Sequence, residues 1–280
     1  MRAVGIMTHG GPEALEVLEV PDQDAGEGQI RIRNFAASVN PVDVSVRNGS
    51  MAEMQKINPP PYVPGMDAAG VIDQIGDDVE TDLKVGDSVM AMVVPNGIHG
   101  AYKEYIVLDK NAVVRAPKET SHIQASTLPM NSLTARLSLD LLGLNKGQVL
   151  AVTGGPGAYG GFVIQLAKAD GLTVIADSKE SDRGLLESLG VDIIIPRGEG
   201  FAERVREEFP NGVDGIADGA LLNESAIEAV KDGGSFTSVR GFKGEPQRDI
   251  DFTATWVTAY DCKKAILETL CQQAEEGVLT

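Results

Sequence analysis

The sequence is poor in residues that bind metals and form cross-links, because its 280 residues include only two cysteines and three histidines. If Cys262 and Cys271 share a helix, their separation places them on opposite faces and roughly 13 Å apart along the axis, too far for a disulfide. Two thiols cannot supply a four-thiolate zinc site, and His9, His99 and His122 lack the spacing of a ligand set. The sequence therefore predicts neither a disulfide framework nor a bound metal.

Positive charge is also scarce, since 24 Lys and Arg residues face 41 Asp and Glu residues, giving a formal net charge of −17. A surface of this sign repels nucleic-acid phosphates and anionic membrane surfaces. The acidic residues are spread along the chain rather than clustered, so we interpret them as a solvated surface and assign them no function. We expect a small-molecule partner and exclude nucleic acid and membrane.

Long hydrophobic runs are absent. No segment approaches the roughly 18 consecutive apolar residues of a membrane span, and the start, MRAVGIMTHGGPE, lacks the apolar core of about 7 to 15 residues of a signal peptide. We therefore expect a cytoplasmic protein. With 42% hydrophobic residues the chain can nevertheless bury a sizeable core, and its length suggests two domains.

The residue patterns divide the chain at residue 118. Short β-type runs separated by Gly, Pro and Asp fill residues 1–118 and predict a compact, mostly antiparallel β domain. Residues 119–280 begin with a helical connector, interrupted at Pro129, and then alternate strand and helix patterns, including NESAIEAVKDGG as a helix and FTATWVT as a late strand. Such alternation implies right-handed crossovers and a doubly wound parallel sheet. The predicted fold class is α/β.

A glycine-rich stretch, VTGGPGAYGG at residues 152–161, lies between a strand pattern and a helix pattern. Gly155, Gly157 and Gly160 fit G-x-G-x-x-G, in which the glycines permit a tight turn, close approach to phosphate and close helix packing. A strand, such a turn and a helix N-terminus form a dinucleotide-binding unit. We assign the whole turn to cofactor binding: Gly155, Pro156, Gly157, Ala158, Tyr159 and Gly160.

The end of the second strand, TVIADS, should lie beside the adenine ribose, where a carboxylate favours NAD and basic groups favour a 2′-phosphate. The residues at this strand end favour different cofactors. Asp177 would repel a phosphate, whereas Lys179 or Arg183, together with Ser178, would bind it. We favour NADP(H) and assign Ser178, Lys179 and Arg183 to the cofactor; control of the pocket by Asp177, and thus NADH, remains the alternative. Glu180 and Asp182 are open to interpretation as an uninvolved charged loop.

An ordered set of motifs runs along nearly the whole chain: SVNPVDVSVRNG, PYVPGMDAAGVIDQIG, KVGDSVMA, GAYKEYIVL, LPMNSLTA and GPGAYGGFVIQLAK. Together they resemble the zinc-free, quinone-oxidoreductase-like branch of the medium-chain dehydrogenase/reductase superfamily. The resemblance implies a GroES-like catalytic domain, a Rossmann domain and NADP(H) in the cleft between them. It also implies a homodimer formed by pairing of sheet edges, with FTATWVT as the pairing strand.

The resemblance also implies that catalytic zinc is absent. Zinc-dependent alcohol dehydrogenases of the superfamily place a Cys near the position of Asn40 and a His-Glu pair after the glycine that corresponds to Gly65, whereas this chain has Met66 and Asp67. Without a Lewis-acid metal, simple alcohol oxidation is disfavoured and a conjugated acceptor is favoured. We therefore expect NADPH-dependent reduction of quinones, enones or related conjugated carbonyls. The alternatives are a nonenzymatic NADP(H)-binding redox sensor or interaction module, and an alcohol or aldehyde oxidoreductase.

Residue roles follow from the same resemblance. It implies that Asn40 and Thr134 approach the nicotinamide as the catalytic pair. It also implies that strand-end residues line the cofactor cleft, namely Ala217, Gly219, Arg240 and Gly241. Some relatives carry a tyrosine shortly after the asparagine, but VDVSVRNG has none, which leaves the proton donor open. Relatives return to complete the first domain with a strand and a helix, and we expect this C-terminal return to be missing here.

Overall fold

The computed structural model describes residues 1–55 and 58–280, which divide into two units. The first unit comprises Met1–Met130 and Tyr260–Glu275, and the second comprises Asn131–Ala259 and Glu276–Thr280. Each unit has its own cluster of buried apolar side chains. The first unit thus extends beyond the predicted boundary at residue 118 and includes a segment from near the C-terminus.

The first unit is built mainly from antiparallel strands. Its strands and helices are β1 (Arg2–Gly5), β2 (Glu16–Glu19), β3 (Gln29–Ala36), α1 (Pro41–Asn48), α2 (Ala52–Gln55), β4 (Asp67–Ile75), β5 (Ser88–Met92), β6 (Tyr105–Asp109), β7 (Val113–Arg115) and α3 (His122–Ala125). Strands β1 and β2 form a pair, and the other five form a sheet in the order β6-β3-β4-β5-β7. All these pairings are antiparallel, as the residue pattern predicts.

Alternation of apolar and polar residues explains why this sheet buries one face. In β3, Ile30 and Ile32 are fully buried, whereas Arg31 and Arg33 between and after them point to the opposite side. Successive side chains of a strand face opposite sides of a sheet, so a period of two places the isoleucines in the core. Ile72 of β4 and Ile106 of β6 extend the same core.

The second unit is a parallel sheet with interspersed helices. Its elements are α4 (Pro129–Leu142), whose first two residues cluster with the first unit, β8 (Val149–Thr153), α5 (Ala158–Ala169), β9 (Thr173–Ser178), α6 (Arg183–Ser188), β10 (Ile193–Pro196), α7 (Phe201–Glu208), β11 (Val213–Asp218), α8 (Glu224–Ile227), β12 (Val230–Val239) and β13 (Asp251–Thr255). The strand order is β10-β9-β8-β11-β12-β13, and every pairing is parallel. The predicted doubly wound α/β class is confirmed. Strand β13 lies at the sheet edge; its predicted pairing in a dimer stays a prediction.

Strands of the second unit read as continuous apolar runs because helices cover both faces of a parallel sheet. Leu150, Ala151 and Val152 of β8 are all fully buried. Phe236 of β12 is 1% exposed, with ring centroids 5.8 Å from Phe242 and 5.7 Å from Phe252. None of the helices in the described ranges has the length and apolar character needed to cross a membrane.

The predicted helix NESAIEAVKDGG is wrong over most of its length. Helix α8 covers only Glu224–Ile227, and β12 begins at Val230. The short helix buries Ala226 and Ile227, but Val230 then pairs with Val213 of β11. Pairing with a central strand outweighs local helix propensity here.

A C-terminal helix, α9 (Lys264–Glu275), belongs to the first unit, although residues 119–280 were predicted to belong to the second. The helix buries Leu267, Leu270 and Cys271, and the Cys271 thiol donates to the Arg115 carbonyl at 3.3 Å. The Lys118 N–H donates to Glu275 Oε1 at 3.0 Å. An amphipathic helix must bury its apolar stripe, and this one does so beside β7. It therefore makes a return to the first unit that we expected to be missing.

Burial predicts which phenylalanine stabilises the fold. Phe236→Ala removes a fully buried ring and should lower the free energy of unfolding by about 3 to 5 kcal/mol. The matched change Phe35→Ala removes a ring that is 53% exposed, stacked on His122 and beneath Arg33, and should cost less than about 1 kcal/mol. Denaturant unfolding followed by circular dichroism measures both, and equal losses would contradict this packing.

Candidate nucleotide site and active-site residues

The glycine-rich turn joins the central strand β8 to helix α5. Strand β8 ends at Thr153, and α5 begins at Ala158 after an extended Gly157. The first N–H groups of a helix have no acceptor within it, so those of α5 are available to an anion at this turn. From β8 the chain builds the sheet outward through β9 and β10, and from β11 it builds outward in the opposite direction through β12 and β13. Doubly wound sheets bind ligands at the crevice between two such strands.

Two glycines beside this turn permit close approaches that a side chain would block. A Cβ atom on Gly160 would lie 2.9 Å from Gly155 Cα and closer still to the Gly154 carbonyl oxygen. A Cβ atom on Gly219 would lie 2.7 Å from Cδ1 of Tyr159. Both glycines therefore allow the turn and its neighbouring loop to pack more closely than any other residue would permit.

Beside the turn lies a cavity of about 760 Å³, here called the turn cavity. Its walls come from the ends of four adjacent strands, β8, β9, β10 and β11. The lining includes Gly154, Pro156, Gly157, Asp177, Arg197 and Gly219. Its volume, its glycine lining and the helix N-terminus fit the phosphate and sugar parts of a dinucleotide.

A second cavity, of about 350 Å³, lies beside the end of β9 and is here called the basic cavity. It brings together the three residues that were predicted to favour NADP(H): Ser178, Lys179 and Arg183. Arg183 also pairs with Glu187 at 3.2 Å, and the buried Ser178 hydroxyl donates to the Lys179 carbonyl at 2.7 Å. Arg197 lines both cavities.

Asp177, the carboxylate that the alternative cofactor assignment requires, is engaged by the protein. It is 3% exposed, Oδ1 accepts the Gly154 N–H at 2.7 Å, and Oδ2 accepts Nε of Arg197 at 2.9 Å. Sequence reasoning missed Arg197. Its signal was its position directly after the buried strand pattern DIIIP, because the carboxyl ends of parallel strands share one edge of the sheet.

Asn40 lies in a buried hydrogen-bond network of the first unit. It precedes α1, is 5% exposed, and its Nδ2 donates to Ser38 Oγ at 2.8 Å and to Asp67 Oδ2 at 2.7 Å. Its backbone N–H donates to Asp43 Oδ2 at 2.8 Å. Asp43 also accepts the Tyr102 hydroxyl, at 3.2 Å. The structure thus places Asn40 as the centre of a rigid polar cluster.

Asp67 is the fully buried acid of that cluster. It accepts the Ser38 hydroxyl and the Nδ2 of Asn40 on Oδ2, and the Met130 N–H on Oδ1 at 2.6 Å. Burial raises the pKa of Asp67 to about 6, although the three hydrogen bonds oppose this; the charge of Asp43 raises it further. The carboxylate therefore titrates close to neutral pH.

Thr134 lies in α4 and is 7% exposed. Its carbonyl accepts the Ser138 hydroxyl at 3.0 Å, and Ser138 Oγ in turn accepts the Tyr159 hydroxyl at 2.7 Å. Burial raises the pKa of Tyr159. The phenol of Tyr159 is therefore engaged inside the second unit, and Tyr159 lines neither the turn cavity nor the basic cavity.

The remaining predicted residues follow strand β12. Arg240 and Gly241 have φ values of 67° and 86°, and a Cβ atom on Gly241 would lie 2.7 Å from Cζ2 of Trp256. Neither residue lines the turn cavity or the basic cavity, and Gly155, Ala158 and Gly160 support the turn without lining either. The cofactor and catalytic assignments remain predictions.

Comparison with known proteins assigns the family. Residues 26–118 match the family described as the alcohol dehydrogenase GroES-like domain, and residues 158–273 match the one described as zinc-binding dehydrogenase. The quinone oxidoreductase structure from Coxiella burnetii superposes with a TM-score of 0.86 at 27% identity, covering 100% of this chain and 89% of that one. The chain belongs to the quinone-oxidoreductase-like branch of the medium-chain dehydrogenase/reductase superfamily.

Two curated relatives have about one-third identity to this superfamily member. One is the 2-methylene-furan-3-one reductase of Solanum lycopersicum, 32% identical over 86% of this chain and 62% of that protein. The other is the chloroplastic NADPH-dependent alkenal/one oxidoreductase of Arabidopsis thaliana, 31% identical over 86% of this chain and 63% of that protein. The chain spans less than two-thirds of the length of these relatives.

As a superfamily member, the chain lacks the ligand types of the zinc-dependent dehydrogenases at the positions compared above. Asn40 and Asp67 are hydrogen-bonded to each other there, and Met66 is a core residue with 4% exposure. Within residues 1–55 and 58–280, no group of three His, Cys, Asp or Glu side chains has the arrangement of a metal site. The first unit is the GroES-like domain and the second is the Rossmann domain, as the resemblance implied.

Neighbouring glycines of α5 provide a matched test of the turn. Gly160→Ala should destabilise the protein by about 1 to 3 kcal/mol, because the added methyl group meets the backbone of the turn. Gly161→Ala places a methyl group 3.5 Å from Leu189 Cδ1, an ordinary contact, and should stabilise the helix by up to about 1 kcal/mol. Thermal unfolding of both variants measures the difference, and equal melting temperatures would show that the turn is not closely packed.

Proposed function

We propose that the chain is an oxidoreductase that binds NADP(H) and reduces quinones, enones or related conjugated carbonyls without a metal. The observation that carries the proposal is the turn cavity, where glycines and a helix N-terminus adjoin a cavity lined by three basic side chains. The names of the two curated relatives, a methylene-furanone reductase and an alkenal/one oxidoreductase, support a conjugated carbonyl as the acceptor.

The residues present fit the cofactor in two ways. The first N–H groups of α5 would bind the pyrophosphate, and the absence of side chains at Gly154 and Gly157 lets it approach the turn closely. Lys179, Arg183 and Arg197 would bind a 2′-phosphate through charge-assisted hydrogen bonds. When bound, the nicotinamide supplies a hydride to the acceptor.

Engagement of Asp177 supports NADP(H) rather than NAD(H). Both oxygens of Asp177 already accept hydrogen bonds, from Gly154 and Arg197, so a ribose hydroxyl would have to share an oxygen with one of these donors. The Arg197 guanidinium also balances the negative charge of Asp177, which reduces its repulsion of a phosphate.

A metal-free reaction suits the residues at the positions of the zinc ligands. A thioether and a carboxamide, at Met66 and Asn40, are poor ligands for zinc compared with thiolate and imidazole. A conjugated acceptor delocalises the negative charge that follows hydride addition, so it needs less electrophilic assistance than a simple carbonyl. The chain's own contribution is to position the acceptor and to keep water from it.

The activity is tested by following the loss of NADPH absorbance with a quinone, a 2-alkenal and an enone, and the formation of NADPH from NADP⁺ with simple alcohols. We expect turnover with at least one conjugated acceptor and none with alcohols. Turnover with alcohols alone would favour an alcohol oxidoreductase. Tight NADPH binding without turnover of any acceptor would overturn the proposed activity and favour the nonenzymatic binding module.

Cofactor preference is tested at Arg197. Arg197→Ala removes a charged donor and frees Asp177, so we expect NADPH affinity to fall about 10- to 100-fold and NADH affinity to hold or rise. Arg2→Ala is the matched control, because Arg2 also pairs with a carboxylate, Glu104, but in the first unit. Fluorescence titration with both nucleotides measures the ratio; an unchanged ratio in Arg197→Ala contradicts the assignment.

A further inference from the structure

The Asn40 carboxamide cannot turn freely, because its Nδ2 has two acceptors inside the protein. One hydrogen goes to Ser38 Oγ at 2.8 Å and the other to Asp67 Oδ2 at 2.7 Å. The reverse amide orientation would place a carbonyl oxygen against a carboxylate oxygen, which is repulsive. Asp67 therefore determines which way the carboxamide faces.

Asp67 also contacts the start of the helix that carries Thr134. Its Oδ1 accepts the N–H of Met130, the second residue of α4. A carboxylate at this position caps the helix, because the first N–H groups of a helix lack internal acceptors. A single carboxylate thus binds both the Asn40 side chain and the first turn of α4.

Within residues 1–55 and 58–280, no cationic side chain hydrogen-bonds to this carboxylate. Its hydrogen-bond partners are the neutral donors of Ser38, Asn40 and Met130, and the titratable groups that face it are the Asp43 carboxylate and the Tyr102 phenol. A buried charge with only neutral donors depends on every one of them. Protonation of Asp67 would in turn weaken its hydrogen bonds with all three donors.

We infer that Asp67 is a positioning residue of the reductase, holding the Asn40 carboxamide and the first turn of α4 in the arrangement that hydride transfer requires. This inference rests on the reductase activity proposed above. Asp67 acts through Asn40 and α4 and does not itself touch the reacting atoms.

The inference predicts that kcat falls on the acidic side of its pH profile; this fall is here called the acid limb. The ionised carboxylate accepts all three hydrogen bonds, whereas the protonated acid has one oxygen that must donate. Because burial places the pKa of Asp67 at about 6, kcat should be full above this pH and should fall as the pH drops through it. Initial rates with a conjugated acceptor between pH 5 and pH 8, corrected for NADPH decay, measure the limb.

Asp67→Asn tests the role directly. We expect a folded protein with NADPH affinity within about twofold of wild type, kcat lowered about 10- to 100-fold, and no acid limb near pH 6. Asp73→Asn is the matched control, because Asp73 lies on the same strand but is partly exposed and pairs with Arg31 at 2.9 Å. Asp73→Asn should have the kcat of the wild type and the same acid limb near pH 6. The double variant Asn40→Ala with Asp67→Asn should lose no more activity than the more impaired single variant.

Ser38→Ala supplies a second readout that does not require removal of the acid. It deletes one hydrogen bond to the ionised Asp67, so the pKa of Asp67 and the acid limb should move together to higher pH. Carbon-13 NMR of the aspartate carboxyl carbons reports that pKa independently of turnover. If Asp67→Asn does not fold, the shift of the acid limb in Ser38→Ala is sufficient to test the positioning role of Asp67.

The outcomes separate the inference from the activity on which it rests. A wild-type protein that reduces no acceptor overturns the proposed function. An active wild type whose acid limb persists in Asp67→Asn, or stays in place in Ser38→Ala, overturns the positioning role. Additive losses in the double variant overturn the route through Asn40.

Discussion

Buried aspartates that accept loop N–H groups are the interaction on which the candidate site depends in both units. Asp43, Asp67, Asp177 and Asp218 are each at most 4% exposed. Each accepts at least one backbone N–H, those of Gly65, Met130, Gly154 and Leu222 respectively; the first three donors are distant in sequence, whereas Leu222 follows Asp218 by four residues. A buried carboxylate is stable only with such donors, and a loop N–H buried without an acceptor is equally costly. The two requirements satisfy each other.

This arrangement explains how so acidic a chain can offer a site to an anionic cofactor. Asp177, beside the glycine-rich turn, is a buried acceptor of the Gly154 N–H and has a guanidinium partner in Arg197. The basic cavity nearby is lined by Lys179, Arg183 and Arg197. Net charge therefore says little about a local site, since the field at short range is set by which groups are buried and paired.

The sequence was sufficient for the α/β class and the glycine-rich turn, because both depend on short-range periodicity and on steric needs of glycine. It failed for NESAIEAVKDGG, where pairing of Val230 with Val213 outweighs helix propensity. The sequence predicted the helix α9 but not its unit, because its contacts with Arg115 and Lys118 join residues more than 150 positions apart in the chain. The role of Arg197 escaped notice because its partner Asp177 is on another strand.

The sequence by itself determined the family, the order of strands and helices in most of the second unit, and the turn that would receive a pyrophosphate. Those features are encoded in residues that are neighbours along the chain. Only the tertiary structure decided that Asp177 is engaged and that Asp67 holds Asn40. Each of these depends on which distant groups share a buried volume, since burial and hydrogen bonding, rather than residue type, set what a carboxylate can do.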